Sequence, residues 1–245
     1  MKIIDGHIHI GKWSDVFLNY ESTVEEAVKV MTSSGIESAV CMTGNLNENE
    51  KLFSGINSRK DYKFHFACFI NPDDEGLDDF LDKNIDNISV FKFHPSFQKR
   101  RITDDTYRKY IEMAEAHRIP VIVHCGRWKE IASYEYPLEI ARRIPGLNVI
   151  LAHLGGDQPS ICVECAKAVS DGGYKNVFLG TESVREFYFV NEVVKIAGAD
   201  KLIFGSDYNL GLPKMYIPII ESLRISAEEK ELIFSGNILR VLGIG

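Results

Sequence analysis

Short apolar runs alternate along this chain with longer segments whose apolar positions recur at helical period. The runs span residues 3–10, 38–42, 64–70, 89–94, 120–125, 148–153, 177–180 and 202–207. Several carry little polar alternation, as in Val121-Ile122-Val123 and Val149-Ile150-Leu151, which is how strands buried on both faces of a parallel sheet read. Between them the pattern predicts helices. Thr23-Val24-Glu25-Glu26 is a capping box, in which the Thr23 and Glu26 side chains each accept from the other's backbone amide at a helix start. It opens a segment with Val24, Ala27, Val28 and Met31 on one face. Tyr107, Tyr110, Ile111 and Ala114 repeat that spacing, and Ser226 with Glu229 forms a second capping box. Eight strands alternating with helices over 245 residues match the size and order of a (β/α)8 TIM barrel, read as a single α/β domain over residues 1–245. An open doubly wound sheet shares the alternation. No glycine-rich phosphate loop follows any strand, however, so the barrel is favoured.

Composition narrows the class without naming a function. Apolar residues make up 45% and charged residues 26%, the balance of a soluble globular chain. The formal charge of −7 argues against a general polyanion binder but leaves room for a local basic pocket. No apolar run reaches the roughly 18 residues that span a bilayer, and the opening Met1-Lys2-Ile3-Ile4-Asp5 lacks a signal-peptide layout. A cytoplasmic protein with no membrane and no nucleic-acid partner is therefore expected. The five cysteines, an odd number, read as thiols rather than a disulfide framework. Cys162 and Cys165 have C-x-x-C spacing, but without a second pair they read as two helical residues one turn apart, not as a zinc knuckle or redox pair.

The histidines change the picture. His7 and His9 lie two apart on the first strand, so both imidazoles leave the same face. His124 ends the fifth of these strands, His153 the sixth and Asp207 the eighth. In a parallel barrel all strand C-termini meet at one mouth. Four imidazoles and a carboxylate converging there suit a divalent transition metal, with zinc the default and manganese the alternative. His65, inside a strand-like run, and His117, at a helix end, read as structural.

Asp5-Gly6-His7-Ile8-His9, Val123-His124-Cys125-Gly126, Ala152-His153-Leu154-Gly155-Gly156 and Gly205-Ser206-Asp207 resemble the amidohydrolase superfamily of metal-dependent hydrolases. More narrowly they are similar to the branch containing aminocarboxymuconate-semialdehyde decarboxylase and 2-pyrone-4,6-dicarboxylate lactonase, as is the tail from Ser235 to Gly243. The resemblance implies a distorted barrel with one metal ion, rather than two, at its mouth. It assigns His7, His9 and His124 as ligands, Asp207 as ligand or neighbour of the metal, and His153 as ligand or substrate-orienting group. Asp207 would then be general base and acid toward a metal-activated water, with the metal or His153 polarising a carbonyl. A homodimer is implied only by analogy.

The fourth strand holds Lys92 and His94 on one parity. Lys92 reads in three ways: a point charge for a substrate carboxylate, a carboxylated bridge between two metals as in binuclear relatives, or a barrel-wall lysine paired to an acid. His94 reads as a substrate contact or a structural hydrogen bond. Arg127, in the loop after His124, could clamp a carboxylate bidentately or simply be solvated. Thr181-Glu182-Ser183, Tyr208 and Asn209 could add polar contacts.

These features favour hydrolysis of a small carbonyl compound, an amide, lactone or ester that may bear a carboxylate. A nonoxidative decarboxylase on the same scaffold is the main rival. A TatD-type nuclease also begins with H-x-H and ends with a strand-eight Asp, but it uses a glutamate on the fourth strand, where Lys92 and His94 stand, and a basic face that this chain lacks. A non-catalytic metal-binding protein is the reading from a different class.

Overall fold

The computed structural model describes residues 1–126, 128–156 and 158–244. Among them lie nine strands: β1 (Ile4–Lys12), β2 (Glu21–Ser22), β3 (Ser38–Thr43), β4 (Lys63–Phe69), β5 (Val90–Phe93), β6 (Val121–Val123), β7 (Val149–Leu151), β8 (Val177–Gly180) and β9 (Leu202–Ile203). They form one curled sheet in the order β2-β1-β3-β4-β5-β6-β7-β8-β9. Every neighbouring pair is parallel except β1 with β2. All eight predicted strands are present. The two-residue β2, which folds back along the end of β1, has no apolar pattern to announce it.

The last strand is much shorter than its apolar run, because from Phe204 onward the chain bonds across the gap to β1. Gly6 N–H donates to the Phe204 carbonyl (2.8 Å) and Asp207 N–H to the His7 carbonyl (3.0 Å). Ile8 bridges Tyr208. These contacts bring the two edges of the sheet together, and the architecture is a distorted TIM barrel.

Two apolar clusters divide the strand positions by parity. Ile4, Val40, Ala67, Val90, Ile122, Ile150, Phe178 and Ile203 fill the barrel interior, stoppered by Ile238 and Val241 of the helix Asn237–Leu242. Ile8, Ile10, Cys41, Phe91, Phe93, Val121 and Val123 join the larger cluster that packs against the helices. On β1 the parity reverses: Ile4 points in, yet Ile8 and Ile10 point out. The cause is a bulge. Pairing with β3 advances three residues on β1, from Asp5 to Ile8, for two on β3, from Ala39 to Cys41. One extra residue in a strand re-aims the side chains beyond it, so His7 and His9 turn toward the axis. Without the bulge they would face the helices.

The predicted helices form with their caps. Both halves of the Thr23–Glu26 box are made at the start of Val24–Ser33, and Ala27 and Met31 are buried. The Ser226–Glu229 box opens Ala227–Glu231. Cys162 and Cys165 are buried in Pro159–Asp171, and His117 ends Arg108–Ala116. Among the described residues no helix is long and apolar enough to cross a membrane.

Two outcomes are expected. A Cβ on Gly6 would stand 2.6 Å from Ile203 Cγ2 and 3.0 Å from the Phe204 carbonyl. Gly6→Ala should therefore cost about 1–3 kcal/mol of stability by overpacking the seam, read by denaturant titration; an unchanged midpoint would mean the seam is loose. His65 is buried on β4, and burial, with Lys63 and Lys2 nearby, pulls its pKa down to about 4. Between pH 6.5 and 4 the unfolded chain binds this proton and the folded one does not, so stability falls as pH falls through that window. His65→Gln should flatten the loss by about 2 kcal/mol, and parallel stability curves for the two proteins would contradict it.

Candidate metal centre

The site lies where β1 meets the segment after β9. His7 Nε2 and His9 Nε2 are 3.2 Å apart, and Asp207 Oδ1 lies 3.8 Å from the first and 3.5 Å from the second. All three residues are buried, and their ligating atoms gather within 4.8 Å of one another. Four metal–ligand bonds of 2.0–2.1 Å at tetrahedral angles put neighbouring ligand atoms about 3.3 Å apart, so this spacing fits a single zinc-sized ion. The chemistry of the donors agrees. His9 Nδ1 lies 2.8 Å from the Thr43 carbonyl, which can only accept, so the proton sits on Nδ1 and the Nε2 lone pair faces His7. His7 Nδ1 lies 3.0 Å from Glu182 Oε1. Burial first, and then the charge of Lys92, pulls the His7 pKa down to about 4, so its imidazole is neutral at pH 7. The Nε2 atoms of two imidazoles and a carboxylate oxygen converge in a buried pocket and face one another, an arrangement a cation relieves.

Asp207 is held by its backbone and by Ser183. Its φ of 55° is in the left-handed region, and the Ser183 hydroxyl donates to Oδ2. Ser183 (φ 61°) and His153 (φ 59°) share that conformation. Left-handed backbone costs a non-glycine residue about 1–2 kcal/mol, and three such residues at one mouth mark a site where side-chain aim outweighs backbone comfort. Burial would raise the Asp207 pKa, but the His9 and His7 imidazoles beside it hold it well below the usual carboxylate range.

The other predicted residues fall around this trio. His124 lies outside the trio; its Nδ1 is 3.0 Å from His153 Nε2, and the two rings meet edge to face. His153 Nδ1 lies 3.1 Å from the Glu182 carbonyl, and the His153 and His7 ring centres are 6.0 Å apart. Lys92 is 1% exposed, with Nζ 3.4 Å from His7 Nε2. It makes no ion pair among the described residues, and burial pulls its pKa down to about 8. His94 is sandwiched between Phe97 and His124, each ring centre 3.8 Å away, and its Nδ1 accepts from Phe97 N–H. Burial, then Lys92, pushes its pKa well below the imidazole norm. Arg127 lies outside the described residues.

Sequence reasoning passed over several groups. Asp5 Oδ1 accepts from the backbone amides of His7 (3.1 Å) and Ser206 (3.0 Å), tying the seam beside His7 and Asp207, and burial raises its pKa to about 7. Trp13 packs its tilted ring against His9, centre to centre 4.5 Å, and donates to Asn209 Oδ1 (2.5 Å), and Asn209 donates to Ser22 (2.6 Å). Glu182, named only as a polar strand-end residue, is almost wholly buried between His7 and His153. A glutamate two residues past a strand-end glycine is the one signal available for it.

A family model described as amidohydrolase matches residues 4–244, and the chain belongs to that family. No curated protein matches the sequence. Among solved structures the chain is similar to 5-carboxyvanillate decarboxylase from Sphingomonas paucimobilis (13% identity, TM-score 0.74, covering 100% of this chain and 99% of that one). It is similar also to a dihydroxybenzoic acid decarboxylase from Polaromonas sp. JS666 with bound manganese and 2-nitroresorcinol (12%, 0.77, 99% and 97%). A third is a probable 2-pyrone-4,6-dicarboxylic acid hydrolase from Acinetobacter baumannii with citric acid bound (15%, 0.73, 99% and 100%). At these identities the likeness is one of fold.

Proposed function

We propose that this protein is a metal-dependent hydrolase of a small carbonyl compound, an amide, lactone or ester, with Asp207 as general base and acid. The observation that carries the reading is the convergence of His7, His9 and Asp207 at ligand spacing in a buried pocket. These three would hold one divalent ion, zinc or manganese, with His124 completing the set on the family pattern. When bound, the ion acidifies a water molecule and polarises the carbonyl under attack. The chain's own groups do the rest. Asp207 stays ionised, takes the proton from the attacking water and passes it to the leaving group. Ser183 holds Oδ2 so that Oδ1 faces the reaction. His153, its Nδ1 proton engaged by the Glu182 carbonyl, presents Nε2 to the pocket and orients the substrate. Lys92 supplies a fixed positive charge for a substrate carboxylate or a developing oxyanion. His94, covered on both ring faces by Phe97 and His124 and with Nδ1 engaged by Phe97 N–H, would meet a substrate only through its Nε2 edge. Arg127 is proposed as a further carboxylate contact.

One observation favours a second reading. Lys92 is a buried cation that makes no ion pair among the described residues, a suitable seat for a substrate carboxylate, and two of the similar structures are decarboxylases. In a nonoxidative decarboxylase the C–C bond to the carboxylate breaks, CO₂ leaves, the electron pair stays on the carbon, and Asp207 relays a proton from solvent to that carbon. A panel of lactones, aryl esters, amides and aromatic carboxylates, monitored for both acid release and CO₂, separates the two. Asp207→Asn should lower kcat per bound metal ion by about 10²–10⁴-fold. Full turnover by that variant would end both readings.

A further inference from the structure

We propose that Glu182 is a positioning residue for two imidazoles at once, its carboxylate setting His7 and its main-chain carbonyl setting His153. The geometry points to this division. Glu182 Oε1 lies 3.0 Å from His7 Nδ1, and the same oxygen accepts the His153 backbone N–H at 3.1 Å. The Glu182 carbonyl faces His153 Nδ1 at 3.1 Å. An acceptor beside Nδ1 keeps the proton there and leaves Nε2 as a lone-pair donor. One residue therefore aims both Nε2 atoms into the mouth, His7 toward His9 and Lys92, His153 toward His124. The His7 contact is within ion-pair distance but outside good hydrogen-bond alignment, so a modest turn of the ring completes it.

The surrounding strands are cut to admit this carboxylate. Glu182 is 1% exposed. A Cβ on Gly180 would stand well inside contact distance of Glu182 Oε2, and one on Gly205 would lie 2.8 Å from it. Gly180 ends β8 and Gly205 follows β9, and at both positions the side chain that would occupy the space is missing. The Glu182 side chain folds back into the gap between the two strands and reaches β1. A carboxylate needed only to fill volume could be replaced by an apolar side chain of similar shape; one that sets a tautomer cannot.

The experiment combines nitrogen-15 NMR of the histidine rings in metal-free protein with zinc affinity by chelator competition; only the second arm rests on the metal reading above. In wild type both His7 and His153 should carry the proton on Nδ1. In Glu182→Ala, His7 should lose that preference while His153 keeps it, because the main-chain carbonyl remains. Zinc affinity should fall about 10–100-fold. Glu182→Gln, whose amide oxygen still accepts from Nδ1–H, should keep the tautomer and lose less affinity. Gly180→Ala should displace the carboxylate and weaken zinc binding with Glu182 still present, and it carries the test if Glu182→Ala does not fold. An unchanged His7 tautomer together with affinity within twofold of wild type, in Glu182→Ala or in Gly180→Ala, would overturn the proposal. Wild type that binds no zinc would instead defeat the metal reading, and the tautomer arm would still judge Glu182.

Discussion

Everything at the mouth depends on the seam between β1 and the segment after β9. Asp207 is 200 residues from His7 in sequence, and the bond from its backbone amide to the His7 carbonyl puts the two side chains on one site. The seam is made by backbone rather than by side-chain packing, so it needs the chains to approach closely. Gly6 permits this on one side, and Asp5 ties it from behind by accepting amides from both chain segments. The bulge in β1 belongs to the same construction. It converts a strand whose even positions face the interior into one whose odd positions do, at the point where the histidines begin.

Burial then decides the electrostatics. Ordinary solvated histidines near pH 6.5 would be partly cationic and would repel one another and any metal. In this pocket desolvation suppresses protonation of His7, His94 and His124 and lowers the affinity of Lys92 for its proton. Glu182 and Asp207, unlike Asp5, respond in the opposite sense to simple burial. Glu182, beside His7, has its pKa held down to about 2 against the cost of desolvation. The mouth thus holds neutral nitrogen donors and ionised oxygen donors at the same pH, which is what a divalent cation requires of its ligands. The left-handed backbone at His153, Ser183 and Asp207 is the conformational cost of aiming them.

Much of this was legible in the sequence because strand ends are where a barrel concentrates function. The alternation of apolar runs with capped helices predicts the eight-stranded order, and H-x-H with histidines at later strand ends predicts the convergence of donors. Three features were not legible, each for a physical reason. The bulge leaves no mark in Asp5-Gly6-His7-Ile8-His9 beyond a glycine, so parity shows that His7 and His9 share a face but not which face. The early stop of β9 depends on a partner at the far end of the chain, which local pattern does not carry. Glu182 shows in the sequence only as a polar strand-end residue because its role comes from empty space at Gly180 and Gly205, and the absence of two side chains reads as ordinary turn chemistry until the strands are side by side.

If His7, His9 and Asp207 form one metal site, the protein's metal content must depend on each of them. Elemental analysis of protein purified without chelator, for wild type and His7→Ala, tests it most directly. About one divalent ion per wild-type chain is expected, as a mononuclear site of this donor set requires, and its loss in the variant. A wild-type protein that holds no metal even after reconstitution with zinc or manganese, or a variant that keeps its ion, would contradict it.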